Sequence, residues 1–264
     1  MFGIMINTTV EHFDDPRVRR AIYLAIHRQP IIETLASGKG WLGVPFPPGQ
    51  WYSMTQEEAA QAPGFRELNG EKHPADLAEA KRLMKEAGLE NGFETEFTAR
   101  VAMQYVDQAI LVSEQLDRFL NIKSTVRQME SAAGLQASNN GDFAMMPAAT
   151  SLAVNSPTGA IVGRYEKGGN VPRRTGGGKS GTGDFLVPGI QEIYDAQARE
   201  LDPKKRGDLA RNAEQILLNG DNAFPGLWWR FSAWVYNERI QNFHPVASSQ
   251  LQYSWEHLWC DPRC

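Results

Sequence analysis

Three stretches of this chain combine residue types at spacings that invite chemistry. His257, Cys260 and Cys264, in HLWCDPRC, present three metal-ligand types close together; equally, the cysteines suit a small disulfide, whose short loop contributes little stability. GGGKSGTG, Gly176–Gly183, has the composition of a phosphate cradle. However, G-x-x-x-x-G-K-[ST] demands glycine at 173, where Arg173 stands, and G-x-S-x-G demands glycine at 182, where Thr182 stands. It reads as a surface loop. The third stretch is the polar turn Thr150, Ser151 and Asn155 after the apolar run Phe143–Met146. Ligands of open α/β sheets sit beyond the carboxyl ends of strands. There, these side chains would meet hydroxyls or amides; as ordinary turn residues they would simply face water. Trp228 and Arg230 share one face of a strand, with Trp229 on the other and Trp234 further on. The tryptophans suit core packing. Arg230 in apolar company needs an anionic partner, and a ligand carboxylate is one option.

Helices and strands must position these groups. In FDDPRVRRAIYLAIHRQ, Phe13–Gln29, the residues Val18, Ala21, Ile22, Ala25 and Ile26 form one apolar helical stripe. Asp15 is its N-cap, Pro16 its first residue, and Pro30 its end, before a second short helix over Ile31–Ala36. Further helices are expected at Asp76–Ala87, Tyr105–Leu120, near Glu130–Ser138, at Pro188–Leu201 and at Pro203–Leu218. Strands are expected at Met1–Ile6, Phe93–Ala99, Ser124–Met129, Phe143–Met146 and within Phe224–Tyr236. The alternation indicates an α/β sheet covered by helices. Pro147–Gly189 lacks periodicity, and Gly168–Gly189 reads as a long glycine-rich surface loop.

A chain of 264 residues carrying a net charge of −4, with 42% hydrophobic and 22% charged residues, has the composition of a folded domain and no electrostatic attraction for nucleic acid. The five histidines are scattered, H-E-x-x-H is absent, and no two carboxylates pair at a catalytic spacing. No cofactor or metal is expected, although a hydrolytic site assembled from distant positions stays open, as does a non-ligand-binding interaction module. Met1–Val10 has no basic n-region. A strand beginning at the first residue is expected to continue a fold begun upstream.

The wording of several phrases is more specific than their periodicity. FDDPRVRRAIYLAIHR after FGIMINTT, Pro45, Pro47, Pro48 and Gly49 in GKGWLGVPFPPGQWYS, ADLAEAKRLMKEAGLENGFETEF, and YDAQARELDPKKRGDLARNAEQILL together resemble the family 5 extracellular solute-binding proteins of ABC importers. His27 replaces their usual Asp. The resemblance covers the C-terminal half of a full member. It implies a periplasmic-binding-protein-like type II α/β lobe, domain III of the family, over 1–225. The segment 226–264 would return to a first lobe lying outside this chain. The protein would be periplasmic or membrane-anchored outside the cytoplasm. It would capture a small solute or short peptide without chemistry and present it to an inner-membrane permease. Peptide-binding relatives carry Trp and Asp just after the strand that corresponds to Phe143–Met146, in GW..D..DP. Here Ala148 stands at the Trp, Ser151 at the ammonium-pairing Asp, and Ser156-Pro157 at Asp-Pro. A buried ammonium without an anion costs several kcal/mol, so a neutral, sugar-like solute is the expectation for Thr150, Ser151 and Asn155. Half a cleft cannot enclose a ligand, so weak binding is expected of this chain alone.

Overall fold

The structure is a computed structural model that describes residues 1–152, 155–176, 187–220, 223–231, 235–243 and 255–261. GGGKSGTG from position 177 onward, Trp234 and Cys264 lie outside the described residues. Cys260, within them, is disulfide-bonded.

The chain opens with β1 (Phe2–Ile6), α1 (Pro16–Ala25), α2 (Arg28–Ala36) and β2 (Gly40–Leu42). Next come α3 (Gln56–Gln61), the small hairpin β3 (Glu67–Leu68) and β4 (Glu71–Lys72), α4 (Pro74–Glu86), β5 (Phe93–Arg100) and α5 (Tyr105–Leu120). They are followed by β6 (Ile122–Met129), α6 (Ser131–Asn140), β7 (Met145–Ala149), α7 (Pro157–Ile161) and α8 (Asn170–Thr175). The chain closes with α9 (Ile190–Arg199), α10 (Pro203–Asn219), β8 (Gly226–Arg230), and a second hairpin of β9 (Ile240–Gln241) and β10 (Trp259–Cys260).

Helix α1 starts as its sequence dictates. Asp15 accepts from the Arg17 amide at 2.8 Å, Pro16 fills the position where an N–H would have no partner, and Val18, Ala21, Ile22 and Ala25 are fully buried. Its end corrects the sequence reading. The helix stops at Ala25, and Ile26 is extended; α2 already begins at Arg28, with Pro30 in its first turn. The first four amides of a helix have no intrahelical acceptor, so proline costs nothing there. A second correction concerns Gly168–Gly189, where α8 forms and buries Val171 and Thr175. Six residues are too few to display a helical period.

The six-stranded sheet has the order β2-β8-β1-β7-β5-β6. Strands β5, β6 and β7 run parallel, whereas β1 is antiparallel to both its neighbours, β7 and β8. The C-terminal ends of β5, β6, β7 and β8 therefore emerge along one edge. On one face Phe2, Ile4, Ile6, Phe97, Met145 and Trp228 pack with α1, α2, α4 and α5. On the other Met5, Met146, Ala148 and Phe224 meet Ala137 of α6 and Val171 of α8. A third cluster joins Phe46 and Tyr52 to Ile161, Ile190, Ala210 and Leu217 of α7, α9 and α10.

Where the chain enters β8, backbone passes backbone with no room for a side chain. A Cβ on Gly226 would lie 2.1 Å from the Gly43 carbonyl oxygen, and one on Gly43 would lie 2.4 Å from the Leu227 carbonyl carbon. Neither neighbour is a flexible side-chain end. Gly226→Ala should cost about 3 kcal/mol, a typical overpacking penalty at its upper end. Urea unfolding reads this as a midpoint lowered by roughly 1 M.

Candidate functional site

The sheet edge where the parallel strands end collects three of the six residues singled out by sequence. Strand β7 ends at Ala149, and Thr150 follows, its backbone N–H donating to the Met1 carbonyl at 2.8 Å. Its hydroxyl is buried without a hydrogen-bond partner. Ser151 is exposed beside it. Across β1, Arg230 closes β8 opposite Gly40 and is also exposed. Asn155 is exposed, but its amide is engaged at both ends: Tyr52 Oη donates to Oδ1 at 3.0 Å, and Nδ2 donates to Gln50 Oε1 at 2.9 Å.

The other two residues lie inside the lobe. Ala148 is buried, facing the α6 and α8 side opposite Gly3. Trp228 is 1% exposed and stacks on Phe2, with ring centroids 4.6 Å apart and planes 7° from parallel. The alternation expected along this strand holds: Trp229 faces the other side, where its indole N–H donates to the Val44 carbonyl and Arg164 lies over its ring at 5.6 Å.

Sequence reasoning passed over two further cations, Arg100 and Arg174. Arg100 is the last residue of β5. Its stem crosses Gly134 of α6 so closely that a Cβ there would lie 2.4 Å from Arg100 Cγ. The guanidinium rests 5.0 Å above the Tyr105 ring and reaches Ser131 Oγ at 3.5 Å. Arg174, in the last turn of α8, is half-buried with its Nε unpartnered. Desolvation lowers its pKa, and the like charges of Arg173 and Arg100 lower it further; the Tyr105 hydroxyl is the one group opposing them. Arg173 itself donates to the Asn139 carbonyl. Arginines held close with a buried, unpaired N–H form a ready site for an oxyanion. Position 100 carried one available signal, an arginine at the C-terminal end of an alternating strand. Arg174 carried none, because nothing marked α8.

Among the described residues, no three of His, Cys, Asp and Glu stand together as a metal site, and no helix is long and apolar enough to cross a membrane.

The mixed sheet and the helices that cover it are those of a periplasmic-binding-protein-like lobe, a fold that solved structures share. The Helicobacter pylori periplasmic binding protein DppA, determined with the peptide STSA, matches 98% of this chain and 47% of its own, with a TM-score of 0.74 at 20% identity. HbpA2 of Haemophilus parasuis matches 99% and 48%, with a TM-score of 0.69 at 18% identity. The chain belongs to the bacterial extracellular solute-binding proteins, family 5, whose family model matches residues 1–171. Among curated relatives, the di/tripeptide-binding protein 3 of Pseudomonas aeruginosa (strain UCBPP-PA14) is 27% identical over 224 residues, covering 81% of this chain. The glutathione-binding protein GsiB of Salmonella typhimurium is 30% identical over 116 residues, covering 40% of this chain and 20% of its own. The chain spans 37% of the length of the Pseudomonas relative.

Proposed function

We propose that this chain forms one wall of the interlobe cleft of an ABC-importer substrate-binding protein, and that this wall grips the anionic end of a short peptide or similar solute. The observation that carries the reading is Arg100 at the end of β5, on the sheet edge where β7 and β8 deliver Thr150, Ser151 and Arg230, with the half-buried Arg174 of α8 near enough to feel its charge. A guanidinium pair short of partners gains most from a carboxylate, which favours an anionic group over a wholly neutral solute. The relatives named for di- and tripeptides and for glutathione support a peptide-like ligand. Ser151 gives the wall no charge for an α-ammonium group, so recognition rests on the carboxylate.

The remainder of the reading follows the family. A first lobe closes over the solute, nothing is done to its bonds, and the closed protein meets a permease outside the cytoplasm. We place the crossing toward that lobe after Arg230, because β8 is paired on both sides within this sheet.

The test is a titration of the chain with short peptides, followed by NMR at Arg100 and Arg174. Binding is expected to be weak, since a complete site buries about 70–90% of a ligand and one wall cannot. Free and N-acetylated peptides should perturb the two arginines alike, whereas C-terminal amidation or Arg174→Gln should weaken the effect about tenfold. Equal binding of amidated peptides overturns the carboxylate reading, and sub-micromolar affinity overturns the single-wall reading.

A further inference from the structure

One buried carboxylate lies outside everything described so far. Glu214, in the middle of α10, is fully buried. Its Oε1 accepts from the Phe46 amide at 3.1 Å and its Oε2 from the Met54 amide at 2.7 Å. Those amides mark the two ends of one loop, so a single side chain grips both. Neighbouring groups complete the hold. Arg164, itself buried, donates to the Pro45 carbonyl at 2.8 Å, and Arg211, one turn before Glu214, donates to the Ser53 carbonyl at 2.8 Å. Inside the loop, Phe46 and Tyr52 are both fully buried, their rings 6.2 Å apart. The loop tip carries Gln50 and Tyr52, the two residues that hold the Asn155 amide.

We propose that Glu214 is a positioning residue of the binding wall, gripping the Phe46 and Met54 amides so that the loop between them keeps Gln50 and Tyr52 on Asn155. The role for Asn155 rests on the cleft-wall reading above; the grip itself does not. Glycine-like freedom is absent at both gripped positions, and two backbone N–H groups in an apolar cluster need an acceptor from somewhere. Helix α10 supplies it with one residue, so the position of the loop follows that of the helix.

The grip is sensitive to protons, and the sign follows from its surroundings. Burial raises the Glu214 pKa from the ordinary carboxylate range to about 7. The two amides and Arg211 pull it down, Glu58 pushes it up, and Arg164 and Tyr52 face it from the remaining sides. A carboxyl that binds its proton more tightly when buried favours the closed loop at low pH. That preference is lost as pH rises through about 7. Above that pH the buried charge loosens the loop.

Backbone hydrogen exchange on the full chain tests this without any ligand, so failure of the cleft reading and failure of the grip are separable. Protection at the Phe46 and Met54 amides, corrected for intrinsic exchange, should fall by roughly tenfold or more as pH rises from the carboxylate range through neutrality. Glu214→Gln should abolish that dependence. Glu214→Ala should raise exchange at both amides about tenfold while β1 and α5 keep theirs. Unchanged protection at Phe46 and Met54 in Glu214→Ala, or loss spread evenly over the chain, overturns the proposal. Should either variant fail to fold, the wild-type profile alone decides: a flat response across that pH range overturns it.

Discussion

Arg28→Met should remove about 3–5 kcal/mol of folding stability, the loss typical of breaking a buried charged network. Arg28 is 2% exposed at the start of α2. Its Nε donates to the Gly226 carbonyl at 2.8 Å, and its Nη1 donates to the carbonyls of Tyr23, Ile26 and Gly64. The guanidinium lies 4.7 Å from the Tyr23 ring centroid and 4.3 Å from that of Phe65. Burial lowers its pKa to about 10, so it stays charged at neutral pH, its charge spread over carbonyls rather than paired with one carboxylate. Methionine fills the volume but donates nothing, so the Gly226, Tyr23 and Ile26 carbonyls lose this donor and Gly64 is left with Lys72 alone. Domains of this kind hold about 5–15 kcal/mol in all. Urea unfolding should therefore show Arg28→Met close to the edge of folding at 37 °C, and Arg28→Lys should recover only part of the loss, because one ammonium cannot reach every acceptor.

The second large effect is expected at Asp76, which is fully buried in the first turn of α4. Its carboxylate accepts from the Gly64 amide at 2.8 Å and from Arg66 Nε at 2.7 Å, and it pairs with Lys72 Nζ at 3.2 Å. Lys72 in turn donates to the Gly64 carbonyl at 2.6 Å. Burial, with the charge of Arg28 adding to it, lowers the Lys72 pKa to about 7 against the support of Asp76. Asp76→Asn removes that support, so Lys72 must give up its proton at still lower pH. A lysine with a depressed folded pKa makes stability rise with pH, because the unfolded chain holds the extra proton. The deficit of Asp76→Asn should be about 3–5 kcal/mol on the acid side of neutrality and shrink toward pH 9, where Lys72 is neutral in both proteins. Denaturation series at several pH values measure it, and a pH-independent deficit contradicts the account. Arg28 and Asp76 meet at the same glycine, so their double variant should lose less than the sum of the two.

Local periodicity made much of this fold legible. Helix α5 spans Tyr105–Leu120 as its apolar spacing indicates, and β5 adds only Arg100 to the expected Phe93–Ala99. Asp15 and Pro16 marked the start of α1 because capping is chemistry within one turn. Its end was misjudged because proline was read as a stop, when its position in the turn decides whether it is one. The site divides the same way. Thr150 and Ser151 were singled out from the rule that strand ends face ligands and Arg230 from its apolar company, and the antiparallel placement of β1 brings the three to one edge. Arg174, Glu214 and the partners of Asn155 were illegible, since each acts across a long stretch of chain through side-chain contacts that no pattern encodes. His27, where the family phrase has Asp, meets Glu67 at 2.5 Å, a substitution whose partner only the fold reveals.

The strand at the middle of the sheet comes first in the chain, yet both its neighbours come late, one near residue 147 and one near 228. During synthesis it therefore waits. At about 5–20 residues per second, roughly ten seconds or more pass before β8 leaves the ribosome. Until β7 emerges, Phe2, Ile4 and Ile6 are an apolar ribbon with no ladder on either side, and until β8 emerges one side stays open. The interval in which this segment is open to mispairing, or to capture by a chaperone, is set by the distance along the chain between β1 and its two partners, β7 and β8.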